Sequence, residues 1–280
     1  MSDVNNIISV ERNGRIFSVD LNPIDQISDL LLEEYRRFWT KQFRGTWESD
    51  TLRILDEFLS PTSLYIDIGS WIGPTALYAS SQAGRVICLE PDPVAHAALV
   101  RNIAVNPGLH NVEVFNVALG PEDGHISIGG NGLLGNSEST ILVQEPTYLY
   151  RKAVKSRKAT DRKNQEWRAG ATTTARMVSP SSLFSNYNSA SNTLVKMDIE
   201  GGEKLALPPL IDALRQYNST LLLSLHWVYL TKTEITDLLN RLFNSNFTIL
   251  EAATGNEVSQ DSILKYHTEQ IICLPRSCQK

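Results

Sequence analysis

Asp198, Glu200 and Glu203 crowd around Gly201-Gly202, directly after the apolar run 193–197, and His226 closes a second apolar run, 221–225. Carboxylates and an imidazole at strand ends are residue types that take a proton from a hydroxyl. A neutral imidazole, with an ordinary pKa of about 6.5, does so near neutral pH. Asp198, Glu200 and His226 are equally a ligand set for a divalent ion that would lower the pKa of a bound hydroxyl. The sequence shows no tight metal-ligand spacing, so acid–base chemistry without a metal is the preferred reading. Glu203 also suits a helix start, where a carboxylate meets the positive end of the helix dipole.

A second constellation lies upstream. Residues 64–68 form a short apolar run that ends in Asp67-Ile68-Gly69-Ser70-Trp71-Ile72-Gly73, an Asp-x-Gly-x-x-x-Gly pattern followed by a helical segment from Pro74. Glycines let the backbone turn sharply and meet a ligand with no Cβ in the way, and the helix start that follows favours an anionic group. Glu90 comes seventeen residues after Gly73, at the end of the next apolar run. An acid at that place accepts hydrogen bonds from ribose hydroxyls. The spacing is not the Gly-x-Gly-x-x-Gly of dinucleotide sites. It fits an amino-acid-bearing nucleoside, with Asp67 near the ligand ammonium; a plain strand-to-helix turn is the alternative.

These residues need a scaffold that brings strand ends together. From residue 64 the chain alternates short strands (64–68, 85–89, 112–118, 193–199, 221–226) with helices (74–82, 93–105, 202–217, 233–244), and segments 247–251 and 270–274 read as closing strands. Such alternation predicts an α/β fold with a mostly parallel sheet covered on both faces. Pro208-Pro209 predicts an interruption of the 202–217 helix. Before residue 61, an Asn13-Gly14 hairpin and helices over 25–43 and 49–59 form an extension (1–60) expected to pack on the main domain (61–280). Residues 125–128 alternate as a small antiparallel strand would. A polar insertion covers about 130–175.

Composition narrows the classes. With 42% hydrophobic and 20% charged residues the chain can bury an ordinary core. The net charge of −5 argues against a nucleic-acid partner. Residues 150–168 are the exception, with eight Lys or Arg against Asp161 and Glu166, and a basic lid over an anionic or carrier-linked acceptor is one reading of them. Cys88, Cys273 and Cys278 form no framework, no start resembles a signal peptide, and no apolar run is long enough to span a bilayer. The expectation is a cytoplasmic protein without a membrane partner.

On Tyr65-Ile66-Asp67-Ile68-Gly69-Ser70-Trp71-Ile72-Gly73, Leu89-Glu90-Pro91-Asp92-Pro93, Asn116-Val117-Ala118-Leu119-Gly120 and Val195-Lys196-Met197-Asp198-Ile199-Glu200-Gly201-Gly202-Glu203, the chain resembles the FkbM family of S-adenosylmethionine-dependent methyltransferases. The resemblance covers about 46–226, with the insertion as a gap. It implies a class I methyltransferase fold, Rossmann-like, whose seven-stranded sheet is parallel except for its last strand. It also implies methyl transfer to a hydroxyl of a small molecule such as a sugar or a polyketide-type metabolite. Carried over by position, Asp67, Gly69, Ser70 and Gly73 hold the methionine portion and Glu90 the ribose. Pro91 and Asp92 shape that pocket, Asn116, Val117 and Ala118 lie by adenine, and Glu48 closes over the cofactor. Asp198, Glu200 and His226 are then the catalytic candidates. The chain departs from the family where Gly-Ser-Trp stands for the usual Gly-Ala-Asn. Competing readings are a methyltransferase acting on protein or nucleic acid and a non-catalytic module that binds S-adenosylmethionine. A dehydrogenase has the wrong glycine spacing.

Overall fold

The structure is a computed structural model that describes residues 6–22, 28–129, 134–137, 140–141, 172–187 and 192–276. The basic stretch 150–168, Cys278 and residues 25–27 of the expected first helix lie outside the described residues.

The chain starts with a hairpin of β1 (Ile7–Arg12) and β2 (Arg15–Asp20), turning at Asn13-Gly14 as expected. Helix α1 (Asp29–Arg37) begins at a Ser28 cap and runs into a single π-turn, Phe38–Gln42. The expected uninterrupted helix therefore changes hydrogen-bond pattern, with the Phe43 N–H donating back to the Phe38 carbonyl. This wider turn brings Phe38, Trp39, Phe43 and Trp47 into one aromatic cluster. Helix α2 (Ser49–Phe58) follows, entered through Glu48 in the left-handed region.

The main layer is built from β3 (Ser63–Ile68), α3 (Pro74–Ser80), β4 (Arg85–Leu89), α4 (Pro93–Ala104) and β5 (Val112–Phe115). The expected strand 112–118 does not continue. It breaks at Asn116, and β6 (Val117–Leu119) joins a separate four-stranded sheet with β7 (Gly124–Gly129), β8 (Thr140–Ile141) and β9 (Thr172–Val178). Strand β7 contains the small antiparallel strand read from the sequence. Part of the expected insertion is thus a sheet, because β9 supplies partners for both β6 and β7.

Helix α5 (Pro180–Ser185) leads back to β10 (Asn192–Met197), α6 (Glu203–Gln216), β11 (Thr220–Ser224), α7 (Lys232–Phe243), β12 (Phe247–Glu251), α8 (Gln260–Tyr266) and β13 (Gln270–Pro275). Helix α6 runs unbroken through Pro208-Pro209, against expectation. Each proline costs about 3 kcal/mol in a helix interior. Burial of Leu207, Leu210, Ile211 and Leu214 offsets this at roughly 1.5–3 kcal/mol each.

The seven-stranded sheet has the order β12-β13-β11-β10-β3-β4-β5. Strands β11, β10, β3, β4 and β5 are parallel, and β13 is antiparallel to both of its neighbours. Every residue of β3 is buried, as expected for a strand covered on both faces. Leu64, Ile66 and Ile68 pack with α5, α6 and α7, while Tyr65 packs with α3, α4 and the N-terminal elements. The strand order reverses between β3 and β10, and a crevice opens there at their carboxyl ends.

Candidate active site

The turn after β3 is shaped by backbone geometry. Gly69 and Gly73 have φ of +85° and +92°, and a Cβ on Gly69 would lie 2.0 Å from the Asp198 carbonyl oxygen. Only glycine fits there, because the turn is pressed against the chain leaving β10. The Gly69 and Ser70 amides donate to the Leu89 carbonyl at the end of β4, and the Ser70 hydroxyl donates to the Asp67 carbonyl at 2.8 Å. Glu90 is nearly fully buried. One carboxylate oxygen accepts from the Trp71 amide at 2.7 Å, the other from the Asp92 amide at 2.8 Å. Burial, with nearby Asp92, pushes its pKa up to about 8.

Trp71 turns its ring into the aromatic cluster, 4.7 Å from the Phe38 ring. Its indole N–H donates to the Gly135 carbonyl at 2.9 Å, which also accepts from the Tyr35 hydroxyl, while the Gly135 amide donates to Asp92. The departure from the family's usual loop is therefore met by the N-terminal elements and by residues 134–137, which cross above the turn.

Gly69, Trp71, Glu90, Pro91, Val117 and Ala118 line a narrow cleft at this rim, together with Asp198 and Glu200. Glu48, Asp67, Ser70, Gly73 and Asn116, also expected at the cofactor, do not line it. Ser70 and Gly73 shape the turn, and Asn116 bridges the Glu90 and Pro91 carbonyls through its side-chain amide. Asp67 lies beneath, wholly buried, with Oδ2 accepting from the Thr75 hydroxyl at 2.6 Å. Its Oδ1 has no hydrogen-bond partner and sits 3.9 Å from Lys196 Nζ.

The second constellation is assembled from three chain segments. Lys196, buried near the end of β10, donates to Asp198 Oδ2 at 3.0 Å. Burial opposes its charge, but Asp198, Asp67 and Glu48 outweigh burial and hold its pKa above the usual value. Asp198 Oδ1 lies 3.1 Å from His226 Nε2, and Glu200 Oε1 lies 3.5 Å from the same nitrogen. His226 Nδ1 is 2.6 Å from Glu203 Oε1, an oxygen that also accepts from the Ile199 amide. Burial disfavours a charged ring, yet Glu203 and Asp198 outweigh it and raise the His226 pKa well above its ordinary value. Both ring nitrogens thus face carboxylates, an arrangement that favours the protonated ring over the neutral imidazole expected from the sequence. Burial opposes the charge of Asp198 too, but Lys196 and His226 hold its pKa below the usual range.

Glu48 lines the same wall from the N-terminal elements. The buried Arg12 guanidinium binds the Phe43 carbonyl at 2.9 Å and the Ser49 hydroxyl at 3.1 Å, which fixes the strained turn carrying Glu48. Burial, partly offset by Lys196, raises the Glu48 pKa to about 7. Its Oε2 is buried without a hydrogen-bond partner.

Glu48, Asp198, Glu200 and His226 open onto a cavity of about 1020 Å³. Its wall also carries Asp50, Glu251 and Glu269, with Trp227 and Tyr229, and holds no Lys or Arg among the described residues. This cavity and the narrow cleft share Ser137, Asp198 and Glu200. Lys196 and Glu203 carry more of the site than the sequence suggested. Both stand within the quoted motif, but nothing local shows that one reaches Asp198 and the other His226.

The strand order, the antiparallel β13 and a glycine turn at the reversal point decide the architecture. This is the class I methyltransferase fold. The chain is 32% identical over 95 residues to Methyltransferase sdnD of Sordaria araneosa; that match spans 33% of this chain and 36% of the relative, about a third of its length. No family model matches. Among solved structures it is similar to methyltransferase FkbM from Methylobacillus flagellatus KT, at 14% identity and a TM-score of 0.43, covering 89% of this chain and 56% of that one. It is also similar to precorrin-6y C5,15-methyltransferase from Geobacter metallireducens GS-15, at 12% identity and a TM-score of 0.41, covering 83% and 89%. A 23S rRNA methyltransferase, ErmE, aligns at 11% identity and a TM-score of 0.34, covering 82% and 68%.

Proposed function

We propose that the protein is an S-adenosylmethionine-dependent methyltransferase of the FkbM type that methylates a hydroxyl of a small molecule. The carrying observation is that the glycine-turn cleft and the large acidic cavity meet at Asp198 and Glu200. A donor held in the first would face an acceptor held in the second.

The residues fit the cofactor in three respects. Gly69 and Gly73 leave a cradle that a Cβ would obstruct. The buried Asp67 Oδ1 and Glu48 Oε2 lack hydrogen-bond partners, and an ammonium group answers such atoms. Glu90 stands at the strand end where an acid serves ribose. Bound there, S-adenosylmethionine supplies an electrophilic methyl group, and the protein supplies alignment and proton removal.

On the acceptor side Asp198 and Glu200 present oxygens that accept a hydroxyl hydrogen bond. His226 is held between Asp198 and Glu203, so it orients the cluster as a donor. Six carboxylates on the cavity wall, with Trp227 and Tyr229, favour a neutral polyhydroxylated acceptor such as a sugar, because carboxylates accept from hydroxyls and aromatic faces pack on apolar ring surfaces. The same wall repels phosphate, which counts against an anionic or nucleic-acid acceptor at this point.

Isothermal titration with S-adenosylhomocysteine tests the reading. One bound equivalent per chain, weakened at least tenfold by Glu90→Gln, is the expected result. No binding to the folded protein sinks it.

A further inference from the structure

We propose that Asp198, Glu200 and His226 form a binding site for a first-row divalent cation at the junction of the two cavities. The proposal deepens the reading of the large cavity as an acceptor site, since the cation would lie where that cavity meets the methyl-donor cleft.

Geometry carries it. The three side chains offer one ligand atom each, all within 4.8 Å of one another. His226 Nε2 lies 3.1 Å from Asp198 Oδ1 and 3.5 Å from Glu200 Oε1. Ligands about 2.1 Å from a common ion are separated by about 3.0 Å at octahedral angles and about 3.4 Å at tetrahedral ones. Two edges of the required triangle are therefore already close to length. Asp198 uses its other oxygen for Lys196, which leaves Oδ1 turned toward the imidazole.

Glu203 is an independent observation. It is wholly buried at the start of α6, its Oε1 grips His226 Nδ1 at 2.6 Å, and its Oε2 has no hydrogen-bond partner. A carboxylate on the far nitrogen of a histidine is the arrangement that fixes a metal-binding imidazole, with the near nitrogen aimed at the ion. The charges point the same way. Among the described residues, Glu48, Asp198, Glu200 and Glu203 gather around Lys196 and His226. On binding, the cation takes the place of the Nε2 proton, which leaves to solvent.

The role follows from chemistry the residues lack. An alcohol is a far weaker acid than a carboxylic acid, so Asp198 and Glu200 alone are weak bases toward it. A bound cation lowers the pKa of coordinated water from 15.7 to about 7 in favourable cases and acts likewise on an alcohol. The mixed nitrogen and oxygen set suits first-row ions over Ca²⁺ or Mg²⁺.

The test uses Mn²⁺ on chelator-stripped full-length protein, followed by electron paramagnetic resonance. One equivalent per chain is expected, with a nitrogen coupling from one imidazole in the spin-echo spectrum. Asp198→Asn and His226→Gln are expected to abolish this uptake, and Glu203→Gln to weaken it 10–100-fold. Wild-type protein that takes up no saturable Mn²⁺, or takes it up without nitrogen coupling, overturns the proposal. The coupling is read on wild type, so variants that fail to fold do not blunt the test. S-adenosylhomocysteine titration separates the two readings. Cofactor binding without Mn²⁺ binding defeats the metal site alone; Mn²⁺ binding without cofactor binding defeats the methyltransferase reading and leaves the metal site standing.

Discussion

The two sides of the crevice are built differently. Around the glycine turn, polar groups meet backbone: Glu90 binds two amides, Ser70 a carbonyl, and the turn amides reach over β4. Around the large cavity, charged side chains meet other charged side chains, as Lys196, Asp198, His226 and Glu203 form a chain of ion pairs. Backbone partners come with the local fold and are hard to rearrange. Side-chain partners come from distant segments and can exchange a proton, a ligand or an ion. The first arrangement suits a group bound the same way in every cycle. The second suits the place where protons move.

Replacing Gly69 with alanine should break the backbone-built side most severely. The new Cβ meets the Asp198 carbonyl at a positive φ, so either the turn or β10 must shift. A stability loss of about 3 kcal/mol or more is expected by urea unfolding, with no detectable binding of S-adenosylhomocysteine. Normal binding by the variant would show that the turn is not the cradle described here.

His226→Ala and Asp198→Ala should act on the other side. Turnover is expected to fall roughly 100-fold or more, while calorimetry finds cofactor affinity within a few-fold of wild type. Equal losses in both measurements would erase the distinction between the two sides.

Glu90→Gln sharpens the comparison through pH. The Glu90 pKa rises from an ordinary 4.5 to about 8 in the folded protein. Between these values the folded state keeps a proton that the unfolded chain has lost, so this residue makes stability fall as pH rises. The melting temperature of Glu90→Gln relative to wild type should therefore climb from pH 5 to pH 8. A pH-independent difference would mean that Glu90 is charged in the free protein.

Trp71→Phe should be the mildest change. It removes the indole hydrogen bond to Gly135 and keeps most of the ring packing, at about 1 kcal/mol. For a chain of this size that lowers the melting temperature by about 2–4 °C. A much larger drop would make residues 134–137 a principal support of the cleft.

The sheet was readable because each parallel strand is an apolar run followed by a helix of clear period, and because Glu90 stands at a strand end by spacing alone. Three elements were misread for physical reasons. The 112–118 run looked continuous because both of its halves are apolar, and only pairing with β9 shows that the chain changes sheets at Asn116. Pro208-Pro209 looked like a break because local strain is visible in a sequence and the packing that outweighs it is not. The π-turn after α1 places Phe38 against Trp71, a contact far along the chain that no local pattern shows. Within the site, Gly69, Glu90, Val117 and Ala118 line the narrow cleft, while Asp67 lies beneath it and Asn116 bridges two backbone carbonyls.

The sequence by itself determined where the main strands and helices alternate, which turn needs glycine, and that carboxylates and one histidine would stand on the same rim. Those are properties of neighbouring residues. Tertiary structure alone decided that His226 sits between Asp198 and Glu203, that Lys196 is shared by Asp198 and Asp67, and that Glu48 faces them from a turn held by Arg12. Proton positions depend on distances between charges, and those distances exist only once strands β3, β10 and β11 lie side by side.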